Sequence, residues 1–156
     1  MELPIEQFYM GFQALDAEQM LKYYSDEVIF EDPAFGILRG KKAHNMWKML
    51  CKSQQGKDFK LDFSKVSYSG TKGSAHWEAW YDFSKTGRRV HNIIEAEFEF
   101  SDGMIIRHID RFNLYRWSRQ ALGITGALIG WTGFFRKGLQ RQTNAMLVKF
   151  ESEYLP

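Results

Sequence analysis

The chain is poor in cysteine. Cys51 stands alone among 156 residues, so no internal disulfide can form, and a reducing, cytoplasmic setting is the expectation. No activating neighbour accompanies Cys51, which reads as a small buried apolar residue. No apolar run approaches the roughly 20 residues that a membrane span needs. The opening Met1-Glu2-Leu3-Pro4 lacks the basic-then-apolar layout of a secretion signal. Excess charge is missing as well: 21 Lys and Arg stand against 19 Asp and Glu, a net +2, so a nucleic-acid partner is not expected. There is no repeat and no low-complexity linker. No glycine-rich loop precedes a helix to cradle phosphate, since Gly87 and Gly103 sit in turns. His76 with Glu78, and His108 with Asp110, could each offer two metal ligands, but a third at regular spacing is missing. Neither a metal nor a cofactor is expected.

Aromatic residues are abundant: thirteen Phe, seven Tyr and five Trp. A single domain of this length rarely needs so many rings to fill its core. They point to an aromatic-lined ligand cavity or to a subunit interface.

The periodicity is helical first and extended later. Ile5, Phe8, Tyr9, Phe12 and Leu15 predict one helix, and residues 17–25 a second, with Asp16 as its N-cap. Residues 36–40 read as a loop. A third helix over 41–53 gathers Ala43, Met46, Trp47 and Leu50 on one face. Alternation then predicts strands over 59–68, 74–83, 89–100 and 104–115, separated by turns at Lys85-Thr86-Gly87 and Ser101-Asp102-Gly103. Helices followed by a strand meander imply an α+β domain, with helices packed on one face of a curved antiparallel sheet. After Trp117 comes a glycine-rich stretch and a helix over 134–150, a C-terminal arm expected to pack on the body or on a second subunit. Arg116, Arg119, Arg136, Lys137 and Arg141 flank this stretch. The pattern also suits an interfacial membrane helix, but packing is the reading taken and a membrane partner is not expected.

Two constellations carry chemistry. Val28-Ile29-Phe30 ends in Glu31-Asp32-Pro33. Proline holds the residue before it extended, so Asp32 sits at a strand end on a fixed backbone. Facing an apolar cavity, it would have a raised pKa and could act as a base; otherwise it caps a turn. His108 and Asp110, two apart on the last strand, share a face with Ile106, Phe112 and Leu114. They could form an acid/base or polarising pair, or simply rigidify the sheet. His76, Glu78, Trp80, His91, Glu95 and Glu97 alternate to the other face of the sheet, which is expected to be covered by a partner or by the arm.

The helix order, the Asp26–Pro33 stretch DEVIFEDP, the Arg39-Gly40-Lys41 entry to the third helix and the meander EFEF-SDG-MIIRHID resemble the nuclear-transport-factor-two-like superfamily, in its ketosteroid isomerase-like and polyketide cyclase (SnoaL-like) branch. The resemblance covers residues 5–115. The stretch Trp117–Gly123 is similar to that of an uncharacterised bacterial subset. The resemblance implies a cone-shaped, cystatin-like fold over 1–117, with 118–156 as a helical extension of the same domain, a pocket between sheet and helices, and a homodimer. It implies that the face of His108 and Asp110 looks into this pocket, to which neighbouring strands would add Trp77, Tyr81, Phe83, Asn92 and Ile94, roofed by Met46 and Trp47, with Tyr81 and Asn92 as orienting donors. It places the base of ketosteroid isomerase at Asp32, while that enzyme's two oxyanion donors fall on Phe8, beside Tyr9, and near Ala96. Steroid isomerisation itself is therefore not expected. The overall expectation is a cofactor-independent acid/base enzyme acting on a small, largely apolar molecule. Asp32, His108 and Asp110 would be catalytic, and Tyr9, Trp47, Trp77, Tyr81, Asn92 and Phe112 would bind substrate. The alternative is a non-catalytic ligand-binding or dimeric interaction module.

Overall fold

The computed structural model describes residues 3–156. Helix α1 (Pro4–Gln13) opens on a proline whose missing donor is not needed there, and it buries Ile5, Phe8, Tyr9 and Phe12. The chain turns through Leu15 at φ 54° into α2 (Ala17–Leu21), where Asp16 Oδ1 accepts a bond from the Gln19 amide at 3.1 Å. This helix is a single turn and does not run on to Ser25. Strand β1 (Tyr24–Asp32) already pairs with the last strand at Tyr24, and that pairing outweighs weak local preference. Gly36–Arg39, expected as a loop, is the short edge strand β2, antiparallel to β1 from Ile29↔Arg39 to Asp32↔Gly36. Helix α3 (Lys41–Gln54) buries Ala43, Met46 and Trp47.

Strands β3 (Lys60–Tyr68), β4 (Lys72–Asp82), β5 (Arg89–Ser101) and β6 (Met104–Arg111) form the meander. The sheet order is β2-β1-β6-β5-β4-β3. The meander is antiparallel as expected, but β1 runs parallel to β6. Register shifts between Ser64 and Ser67 and between Glu99 and Phe100 bend the sheet. The second shift corrects the simple alternation on β6: Ile105 turns inward and Ile106 stays exposed.

The chain leaves the sheet at Arg111, earlier than the expected strand to Tyr115. Asn113 Oδ1 accepts from the Arg116 amide at 2.9 Å and caps helix α4 (Leu114–Leu122). The short α5 (Ile124–Ile129) and the long α6 (Gly133–Tyr154) follow. Helix α6 packs along α3. Its Leu147 and Phe150 join the main core of α1, α3 and the sheet, while Leu139 joins a second cluster with Val90, Leu114, Trp117 and Ala121. The arm therefore packs on its own body. No helix among the described residues is long and apolar enough to cross a membrane.

Leu147→Ala should lower unfolding free energy by about 3 kcal/mol, in one cooperative urea transition. An unchanged midpoint, or a separate early transition, would show that α6 is not part of the core.

Candidate functional site

Between the inner face of the sheet and helices α3, α4 and α6 lies a cavity of about 250 Å³. Its walls are apolar and largely aromatic, from Phe12, Met46, Trp47, Trp77, Phe112 and Met146. Asp32, Asp110, Tyr81 and Asn92 are among the polar groups that interrupt them, with Lys57, Asp82, Lys85 and other polar side chains also on the lining.

Asp32 closes β1. Its Oδ1 accepts from the amides of Ala34 at 2.9 Å and Phe35 at 2.6 Å, an Asx-type turn set by the proline between them. Among the described residues, Oδ2 takes no hydrogen bond. The turn is braced from α6 by three side chains on one helix face. Gln140 Nε2 donates to the Pro33 carbonyl at 3.2 Å, Thr143 Oγ1 to Ala34 at 2.8 Å and Asn144 Nδ2 to Phe35 at 2.9 Å. The two readings of Asp32, turn cap and cavity carboxyl, thus hold together, with one oxygen for each. Burial pushes its pKa up to about 7, opposed by the Phe35 amide and reinforced by the charge of Asp110.

Asp110 is the neighbour that matters. The parallel register ends at Phe30↔His108 and Glu31↔Ile109, one residue short of Asp32 and Asp110, which face the same cavity from neighbouring strands. Asp110 Oδ1 accepts from His108 Nε2 at 2.9 Å and from Trp77 Nε1 at 3.3 Å. Behind it, His108 Nδ1 lies 2.6 Å from the Tyr24 hydroxyl, which accepts from Trp47 Nε1 at 3.1 Å. Donor counting assigns the tautomer. The Trp47 N–H is spent on Tyr24 oxygen, so the Tyr24 O–H can donate to Nδ1, and Nε2–H then donates to Asp110. His108, fully buried and stacked on Phe98 and Trp47, orients Asp110 from behind and does not line the cavity.

Tyr81 on β4 accepts from Trp117 Nε1 at 2.8 Å, which leaves its own proton to donate. Burial pushes its pKa up to about 12, with the Trp117 bond opposing and the Asp32 charge adding, so it is a neutral donor at ordinary pH. Asn92 on β5 uses no side-chain hydrogen bond among the described residues. Ala96, where the resemblance puts a second oxyanion donor, pairs directly across the ladder with Asp110, so a carboxyl occupies that level from the neighbouring strand.

Of the expected site residues, Asp32, Asp110, Trp47, Trp77, Tyr81, Asn92 and Phe112 converge on the cavity. His108 and Tyr9 do not. Tyr9 is fully buried against Phe8, Phe63 and Trp77, with its hydroxyl unpartnered among the described residues. The sequence reading missed Tyr24, Trp117 and the Gln140, Thr143, Asn144 face. The i, i+3, i+4 spacing of the last three was a legible signal of a polar helix face, but nothing in it named the turn they brace. Cys51 is buried as expected, and burial pushes its thiol up to about 12. On the outer sheet face His76 sits between Glu95 and Glu78, at 2.5 and 3.0 Å, and His91 reaches Glu78 at 2.7 Å while stacking on Trp80.

The family model of the SnoaL-like domain matches residues 5–108. The chain belongs to the SnoaL-like domain family. Its solved neighbours share the NTF2-like fold at low identity. An LEH-like epoxide hydrolase of M. tuberculosis is 20% identical, with a TM-score of 0.59 over 80% of this chain and 92% of that one. TerC, crystallised with polyporic acid, is 17% identical at 0.58, over 70% and 88%. A ketosteroid isomerase-like protein of Catenulispora acidiphila, in complex with trimethylamine, is 10% identical at 0.63, over 83% and 96%. No curated protein matches the sequence. At these identities the likeness establishes the fold, and one fold of this kind hosts many chemistries.

Because the Asp32 carboxyl is raised, the folded state holds its proton where the unfolded chain has released it. Stability contributed by the protonated form is lost as pH rises from about 4 through about 7. Asp32→Asn keeps the Oδ1 acceptor and removes that loss. Its melting temperature should match the parent below about pH 4 and exceed it above pH 7; a pH-independent difference would refute the raised carboxyl. Tyr24→Phe strands the Trp47 N–H and removes the donor to His108, which should cost about 2 kcal/mol in chemical denaturation. A neutral result would mean that these two buried hydrogen bonds add nothing to stability.

Proposed function

We propose that this protein is a cofactor-independent acid/base enzyme acting on a small, largely apolar molecule that carries one polarisable oxygen, as in an enol, ketone or epoxide. The observation that supports this most is the pairing of two carboxyls on neighbouring strands inside an aromatic cavity, one of them with its pKa raised to about 7. A cavity of about 250 Å³ lies below the roughly 300–1,000 Å³ of common ligand sites, which selects a small substrate.

In this reading Asp32 is the base. With a pKa of about 7 it is part ionised near neutrality, so it can take a proton from carbon or water and return it elsewhere. Its Oδ2 is the reacting atom, because Oδ1 is committed to the turn. Tyr81 O–H and the Asn92 amide donate to the oxygen on which charge develops, the task that the absent donors at Phe8 and Ala96 would perform in a ketosteroid isomerase. Asp110, held by His108 and Trp77, orients a water or a substrate hydroxyl and keeps the Asp32 proton affinity high through its charge. His108 is a positioning residue. The aromatic walls exclude bulk water, which strengthens each of these interactions.

The test is a panel of small apolar ketones, enols and epoxides incubated in ²H₂O and read by mass spectrometry. Turnover, or deuterium entering the recovered compound, is expected. Asp32→Asn should cut it about 100-fold or more, and Tyr81→Phe about 100-fold in kcat with a smaller change in KM. Panel members that raise the melting temperature yet neither react nor exchange would overturn the enzyme and leave a ligand-binding module.

A further inference from the structure

The arm has a feature that the cavity does not use. Within eleven residues, Ile124, Leu128, Trp131 and Phe134 are 81, 69, 72 and 80% exposed, with Ile129 beside them at 41%. Large apolar side chains this exposed and this close together mark a contact surface.

Local packing holds them outward. Helix α5 docks on α4 through Gly126 and Gly130, one turn apart. A Cβ on Gly126 would lie 1.9 Å from the Ser118 carbonyl oxygen, and one on Gly130 1.9 Å from Ser118 Oγ. With the glycines against Ser118, Ile124 and Leu128, also one turn apart, take the opposite face. The Trp131 indole N–H is already satisfied by the Leu128 carbonyl at 3.0 Å, so its exposed ring carries no unmet donor into an apolar setting.

The charge around this tip has one sign. From Arg111 to Phe150 the chain contains Arg116, Arg119, Arg136, Lys137 and Arg141 among its cations, and no Asp or Glu. None of those five forms an ion pair among the described residues, whereas Lys42, Arg89, Arg107 and Arg111 elsewhere do. The cations flank the apolar tip on both sides. One surface depression joins Ile124 to Arg88, Arg116 and Arg119. Another joins Phe134 and Ile37 to Lys137 and Arg141.

We propose that this tip is a docking surface for an anionic lipid bilayer: Ile124, Leu128, Trp131 and Phe134 enter the headgroup–acyl boundary, and the two basic depressions receive lipid phosphates. Charge complementarity decides between occupants. A second copy docked tip to tip would set unpaired cations against unpaired cations. An anionic surface pairs them, at about 1 kcal/mol, or fivefold in binding, per Lys or Arg at the surface. Trp at the boundary and Leu, Ile and Phe deeper is the distribution that such an interface favours. The expectation from sequence is that a membrane partner is absent and that the stretch packs on the body or on a partner; the glycine face of α5 does pack on α4, and its apolar face is left outward.

The test is co-sedimentation of the full chain with vesicles of phosphatidylcholine alone and with a third of the lipid replaced by phosphatidylglycerol. The chain should pellet with the anionic vesicles, and added salt should release it. W131A/F134A should weaken the partition by about tenfold or more, and R136Q/K137Q by about fivefold per charge. All four positions are at the surface, so circular dichroism melts should match the parent. Acyl-chain-brominated lipid should quench tryptophan emission in the parent and less so in W131F. A chain that stays in the supernatant with anionic vesicles, or one that pellets equally after W131A/F134A, overturns the proposal. So does a dimer in sedimentation velocity that W131A/F134A dissociates without any vesicle binding, which would assign the tip to a second copy.

Discussion

The parallel pairing of β1 with β6 is the constraint on which the rest of the molecule depends. Parallel neighbours need a long connection, and here everything from the Asp32 turn to the Met104 hairpin is that connection. The register brings Phe30 to His108 and so sets two carboxyls on adjacent strands, at the lip of an apolar cavity. Antiparallel pairing of the same strands would separate them. The charge that Asp110 exerts on Asp32 follows from that adjacency, while burial in the cavity is what mainly raises the Asp32 carboxyl.

The ionised Asp32 carboxylate held this way opposes folding, since desolvation and the charge of Asp110 both disfavour it. The surrounding structure compensates by fixing every partner. Three α6 side chains hold the carbonyls of the Asp32 turn. On the other side, Trp47, Tyr24, His108, Asp110 and Trp77 form a buried chain of hydrogen bonds from α3 through β1 and β6 to β4. Each link has a donor and an acceptor, so the chain rigidifies the wall without leaving a buried group unmet. Preorganisation of this kind keeps reacting groups within the small tolerances that catalysis needs.

The C-terminal arm serves two ends of the molecule. Its inner side closes the cavity through Trp117, Leu139 and Met146 and braces Asp32. Its tip carries apolar rings outward, beside cations that form no ion pair among the described residues. The glycines that dock α5 on α4 separate these tasks: by letting α5 lie flat on Ser118 they dictate which of its faces is buried.

Much of this was legible in the residues alone. Period-two alternation on β4 told the inner Trp77 and Tyr81 from the outer His76 and Glu78, because a buried sheet face tolerates only one phase of the pleat. Pro33 announced a strand end with Asp32 on it, and His108 and Asp110 had to share a face. What the residues could not disclose was set by long-range pairing. The parallel β1/β6 register, the bulge that exchanges Ile105 for Ile106, the edge strand at Gly36–Arg39 and the bracing of the Asp32 turn from more than a hundred residues away all rest on contacts between distant segments, which leave no local period. The sequence by itself determined the α+β class, the inner faces and the chemical groups available. Only the tertiary structure decided that Asp32 and Asp110 are neighbours, that His108 and Tyr9 stand outside the cavity and that the apolar tip of the arm faces outward, because each of these is a matter of which distant surfaces meet.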